Sequence, residues 1–413
     1  MPAPSPFARL ARAHALSTAG DTLVATALAG SLFFSISPDA ARSRVALYLV
    51  LTMAPFAVVA PLIGPWIDGK AGGRRSMVVL SAAARAGVCL LMVDDIDGLL
   101  LFPEAFSVLV LGKGYQVARA SLVPGLVRDE SRLVEANSKL VLISGVVGLA
   151  AAAPGVALLQ LGPEWVLVLA SLVFGAATVV AYRIPRTRVA VEAAGPIERA
   201  ELRGAGILLA ASAMAVLRAV VGFLSFLVAF ALRSDDAPAW WFGAVLAASA
   251  VGALVGAVAA PRLRRAVPEE RILLACLVLT AASALGMVWV GGRLSAVLLA
   301  AVVGLSATAG KLCFDSIVQS DAPDANQGAS FARFEARFQL LWVAGALLPV
   351  VLPIPLAVGF VGIAAVAGGA AFLYATGRRI TTTRLGATVV AGSARASRRL
   401  IRRAAGAGVP PLP

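Results

Sequence analysis

Twelve stretches of this chain are apolar over bilayer-spanning length, and they fall six and six on either side of a polar segment between Arg183 and Arg203. A helix rises about 1.5 Å per residue, so crossing a hydrocarbon core of roughly 30 Å takes about 20 mostly apolar residues. In lipid only helices and closed barrels satisfy all their backbone hydrogen bonds. The runs here are Ala/Val/Leu/Gly blocks without the period-two alternation of barrel strands. The chain therefore reads as an all-α polytopic membrane protein. Its spans are expected at about 13–36, 45–67, 76–93, 99–123, 137–161, 165–182, 206–232, 240–260, 272–290, 294–319, 331–353 and 356–376.

Hydrophobic residues make up 60% of the chain and charged residues 14%, against roughly 45–50% and about 25% in soluble domains. No polar segment is long enough to hold a soluble domain. Cys89, Cys276 and Cys313 lie within apolar runs and lack metal-ligand spacing, so neither disulfides nor metal nor any other cofactor is expected. The net charge of +14 does not point to nucleic acid, because the basic residues sit in short loops and a tail rather than on a folded polar face. The first run follows Arg9 and Arg12, but it is too long for a signal-peptide core and contains Asp21, so a retained helix is expected.

The loops set the orientation. Of the 36 lysines and arginines, 24 fall in segments on the side of the N-terminus and only Arg42, Arg44, Arg233 and Arg293 on the other. That bias places both termini in the cytoplasm of a multi-pass plasma-membrane protein and requires an even number of crossings. A faint internal repeat agrees with the six-and-six division. Ser121-Leu122-Val123 ends the fourth run and Ser316-Ile317-Val318 the tenth, and at the same offset Asp129 meets Asp324. The expected organisation is a six-helix half over 1–182, a cytoplasmic loop over 183–205, a second six-helix half over 206–376 and a basic tail over 377–413.

The loop after the second run reads Gly64-Pro65-Trp66-Ile67-Asp68-Gly69-Lys70-Ala71-Gly72-Gly73-Arg74-Arg75. A glycine, an aspartate four residues on, then glycine and paired arginines resemble the signature loop of the major facilitator superfamily. Gly69 stands where that family usually has a basic residue. Pro124, Asp129, Leu133, Ala136 and Asn137 form a second passage, similar to the loop joining the fourth and fifth helices in exporter-type members. Lys113-x-x-Gln116 partly matches the family's Arg-x-x-Gln-Gly motif, and Gly145, Gly148, Pro154 and Gly155 only echo its antiporter motif. The resemblance implies the major facilitator fold of two pseudo-symmetric six-helix halves, with Gly64, Asp68, Arg74 and Arg75 forming a cytoplasmic gate.

A charge at a helix centre costs roughly 2.5–3.5 kcal/mol on insertion scales, so it faces a cavity or a partner. Asp21 lies in the first run, Lys113 and Arg119 in the fourth, Arg218 in the seventh, and Lys311 and Asp315 in the tenth. In the family those four helices line the central cavity, which makes these six residues the candidate substrate and coupling site. Lys311 and Asp315 are four apart and can also neutralise each other. Arg85 in the third run breaks the pattern and has no assigned role. Arg333, Glu335 and Arg337 begin the eleventh run, where a cytoplasmic salt-bridge cluster is expected. His14 lies near the inner interface.

Four cations against two carboxylates favour an anionic substrate. Proton coupling would need a buried carboxylate, and Asp21 is the candidate. The basic tail suits anionic lipid. There is no nucleotide-binding loop and no catalytic constellation, so an enzyme is not expected. The expected function is secondary transport by alternating access, exporting a small anionic or amphiphilic molecule. Two alternatives stay open: a lipid or lysolipid translocator of the same fold, and a transport-inactive membrane scaffold or sensor.

Overall fold

The structure, a computed structural model, describes residues 5–32, 72–127, 132–185, 204–321 and 327–378, with 97, 99 and 239 excepted. These residues form eleven long helices: α1 (Pro6–Leu32), α2 (Gly73–Asp94), α3 (Leu101–Leu126), α4 (Leu133–Leu159), α5 (Pro163–Tyr182), α6 (Ala205–Ser234), α7 (Trp240–Arg264), α8 (Glu269–Val290), α9 (Gly292–Asp321), α10 (Gln327–Val351) and α11 (Leu356–Arg378). Each matches one expected apolar run. Several extend a few residues beyond it, because a helix continues into the interface while the apolar stretch marks only the hydrocarbon depth. The second run, most of the central loop and the tail lie outside the described residues.

Nine of the described helices are long and apolar enough to cross a membrane; α1 and α3 are the two that are not. Those two carry His14, Asp21, Lys113 and Arg119. Their polarity is turned inward. His14 is 4% exposed and Tyr115 beside it 3%. The chain is a multi-pass membrane protein.

Packing divides along the chain. Helix α1 packs on α4 and α5, and α2 on α3 and α5; in the later part α7 packs on α9, α6 on α10 and α8 on α9. The main contacts between the two sets among the described residues come from α4 against α7 and α9, and from α3 against α10. At the end where α3 stops and α4 begins, one continuous apolar cluster joins both sets, with Leu122 and Leu133 alongside Phe314, Ile317 and Phe338. Towards the opposite end the core splits. Leu23, Cys89 and Val166 belong to one cluster, and Leu224, Leu299 and Phe360 to another. Among the described residues, an apolar cluster spans both helix sets at the arginine-rich end and none does at the other.

Glycine makes the tightest crossings possible. A Cβ on Gly252 of α7 would lie 1.9 Å from the carbonyl oxygen of Ala301 on α9, and one on Gly222 of α6 would lie 2.0 Å from that of Trp342 on α10. Small residues let membrane helices approach to backbone contact, where dispersion replaces the missing hydrophobic drive.

Candidate functional site

Counted from the arginine-rich end at about 1.5 Å per residue, Asp21, Arg85, Lys113, Arg218, Lys311 and Glu335 lie roughly 12–22 Å deep. They come from α1, α2, α3, α6, α9 and α10. Their electrostatic centre is Glu335. One of its carboxylate oxygens is 2.7 Å from Lys311 Nζ, and the other is 3.8 Å from an Arg218 guanidinium nitrogen. Lys311 also meets Asp315 at 2.5 Å, forming the within-helix pair that the spacing of four allows. Across the seam, Lys113 lies in the fields of Glu335, Arg218 and Asp21, and the charge of Arg119 reaches Asp315. Ion pairs thus join Arg218, Lys311 and Asp315 around Glu335, and Asp21 to Arg85, whereas Lys113 and Arg119 are linked to them through longer-range charge.

Two members of the network were not among the candidates. Glu335 was expected in a cytoplasmic cluster with Arg333 and Arg337. Only those two arginines are exposed, while Glu335 turns inward to Lys311. Its position about one turn into the eleventh run, on a helix not expected to line the cavity, hid it. Arg85, without a role in the sequence, is fully buried and bonds Asp21 at 2.6 Å, Ser17 Oγ at 2.8 Å and the Ser81 carbonyl at 3.1 Å. Its guanidinium also lies 4.5 Å from the Phe174 ring centre. An arginine so deep in a span needs a carboxylate nearby, and Asp21 was the one charge of the first run able to supply it.

Two turns before Asp21 on α1, at His14, a second polar chain begins. His14 Nε2 lies 3.1 Å from Arg119 Nη1, 2.8 Å from Ser144 Oγ and 3.1 Å from the Leu140 carbonyl oxygen, and its Nδ1 lies 2.9 Å from Tyr115 Oη. Arg119 Nε is buried with no hydrogen-bond partner among the described residues.

Above the network the walls become aromatic. Trp342 lies seven residues beyond Glu335, two turns along the same face of α10, and packs edge-on against Phe226 of α6 with ring centres 6.1 Å apart. Phe230 joins the same group.

Of the expected cytoplasmic gate, Gly64 and Asp68 lie outside the described residues. Arg74 donates to the Ser121 carbonyl at 3.0 Å, and Arg75 to the Tyr182 carbonyl at 2.5 Å while lying over the Tyr182 ring. These bonds tie α2 to α3 and α5, all within the first helix set.

The bonds that cross between sets lie beside the second motif. Asn137 Nδ2 donates to Gln319 Oε1 at 3.0 Å, and Gln319 Nε2 donates to the Ala120 carbonyl at 3.0 Å. Ser138 Oγ donates to the Ala257 carbonyl. Both carbonyls stand four residues before a proline, Pro124 in α3 and Pro261 in α7. Proline has no N–H, so each helix leaves that oxygen without its usual donor. The cross-set side chains supply the missing donors.

The Major Facilitator Superfamily profile matches residues 10–346. An uncharacterised protein of Mycobacterium leprae is 29% identical over 389 residues, and one of Mycobacterium tuberculosis 31% over 388, each match covering 84% of this chain. The chain spans 66% and 69% of the length of those relatives. Among solved structures, a bacterial homologue of the iron transporter ferroportin in an outward-facing state superposes with a TM-score of 0.71 at 17% identity, over 92% of this chain and all of that one. The human organic anion transporter MFSD10 gives 0.67 at 15% identity, over 90% and 100%. With the profile match covering most of the chain and the fold shared across its length, this protein belongs to the Major Facilitator Superfamily.

Proposed function

We propose that this protein is a secondary transporter that exports a small organic anion, or an amphiphile with an anionic head, by rocking the helices of 6–182 against those of 205–378. The observation that carries the reading is the charge network. Arg85, Lys113, Arg119, Arg218 and Lys311 face Asp21, Asp315 and Glu335, an excess of two positive charges within the helix bundle. Such a site favours an anion over a neutral or cationic solute. The unpartnered Arg119 Nε supplies a donor for one, and the Phe226–Trp342 wall suits an apolar body above the charged head.

The separated core at one end and the joined core at the other fit an outward-facing arrangement with the arginine-rich end towards the cytoplasm. A collapsed scaffold would bury these charges completely, yet Asp21 is 45% exposed and Arg218 35% on their side chains. Fold likeness to an organic anion transporter agrees with the charge sign.

Asp21 is the carboxylate we assign to proton coupling, because protonating it would release Arg85. Equal transport by Asp21→Asn and wild type across the pH range overturns that assignment. The substrate reading is tested by a thermal-shift screen of purified protein against anionic metabolites, drugs and lipids. Stabilising anions should lose their effect in Lys113→Ala/Arg218→Ala; an undiminished shift in that variant overturns the anion reading.

A further inference from the structure

A basic cleft of about 430 Å³ opens at the arginine-rich end between the start of α4 and the end of α7, lined by Arg132, Val134, Glu135, Pro261, Arg264 and Arg265. We infer that this cleft is a binding site for the phosphate headgroup of an anionic phospholipid, separate from the transport site. The two carboxylates described at its rim have cationic partners: Glu135 pairs with Lys139 at 2.8 Å, and Glu269 with Arg264. The charges of Arg132 and Arg265 both act on Glu135, so the three groups surround one space. The balance is positive, and guanidinium groups match phosphate oxygens in pairs.

The surroundings select a lipid rather than a soluble phosphate. Val251 and Val258 stand seven residues apart on one side of α7, which ends at Arg264 just before Arg265, and both valines are exposed. Val146 and Leu149 stand exposed on α4 across the same seam. A headgroup in the cleft therefore has an apolar track for its acyl chains running into the membrane. The walls belong to different helix sets, stitched one turn deeper by Ser138 and Ala257. Opening this end would pull the walls apart, so the lipid binds the closed arrangement and by linkage favours it.

The test measures binding of the purified full chain to nanodiscs or micelles doped with phosphatidylglycerol, by thermal shift and native mass spectrometry. Phosphatidylcholine and inorganic phosphate are the comparison ligands, and Arg132→Gln/Arg265→Gln and the charge-matched variant Arg183→Gln/Arg333→Gln, at exposed arginines that do not line the cleft, are the comparison proteins. Saturable phosphatidylglycerol binding should weaken about thirtyfold in the cleft variant and stay unchanged in the other. Equal loss in both variants, or no loss in the cleft variant, overturns the proposal. Inorganic phosphate that stabilises as strongly as phosphatidylglycerol overturns the lipid assignment.

Discussion

Replacing Gln319 by Leu should open the arginine-rich end. The Gln319 amide bridges three helices, accepting from Asn137 of α4 and donating to Ala120 of α3, and it is 2% exposed beside an Asn137 that is 8% exposed. Leucine keeps most of the volume and removes both bonds. While this end stays closed, the Asn137 amide and the Ala120 carbonyl then sit dry without partners; on opening they regain water. An orphaned buried group costs about 1–3 kcal/mol, and hydrogen bonds between membrane helices average about 0.6 and reach about 1.7 kcal/mol. Two bonds lost together therefore tilt the equilibrium by about 1–3 kcal/mol, or about 5–150-fold towards the open arrangement. Spin labels at the exposed Ser76 and Arg271, on α2 and α8 at this end, report the change by electron–electron distance measurement. The variant should shift population to a longer distance. A background carrying Pro124→Ala should show a smaller shift, because residue 124 then donates to the Ala120 carbonyl within its own helix. An unchanged distance distribution in Gln319→Leu refutes the latch.

Arg85→Met should lower thermal stability by about 2 kcal/mol, less than for a fully dry pair because Asp21 is half open, and Asp21→Asn should recover part of it; a double variant no more stable than the single refutes the pairing. Arg85→Lys should not substitute for arginine, since one ammonium cannot bond Asp21, Ser17 and the Ser81 carbonyl while lying over Phe174. Gly252→Val should cost about 3 kcal/mol or more by pushing α7 off the Ala301 carbonyl, seen as a lower melting temperature in detergent; a wild-type melting curve contradicts that crossing.

The sequence determined the class of molecule. Bilayer-length apolar runs, loop arginines and the two motif passages lead to a polytopic helical transporter family, because lipid leaves the backbone so few ways to satisfy itself. Six of the network's charges could be named for the same reason: a charge in hydrocarbon stands out against its neighbours. Which charge meets which could not be read there. Arg85 and Glu335 lie on helices outside the expected cavity set, and their partners Asp21 and Lys311 are distant in sequence, so only three-dimensional packing joins them. The same holds for the latch. Pro124 and Pro261 announce their missing donors in the sequence, but that Gln319 and Ser138 answer them depends on how α9 and α4 dock. Local composition selects helix and membrane, whereas pairing between distant polar groups is settled by the geometry in which two helix sets close.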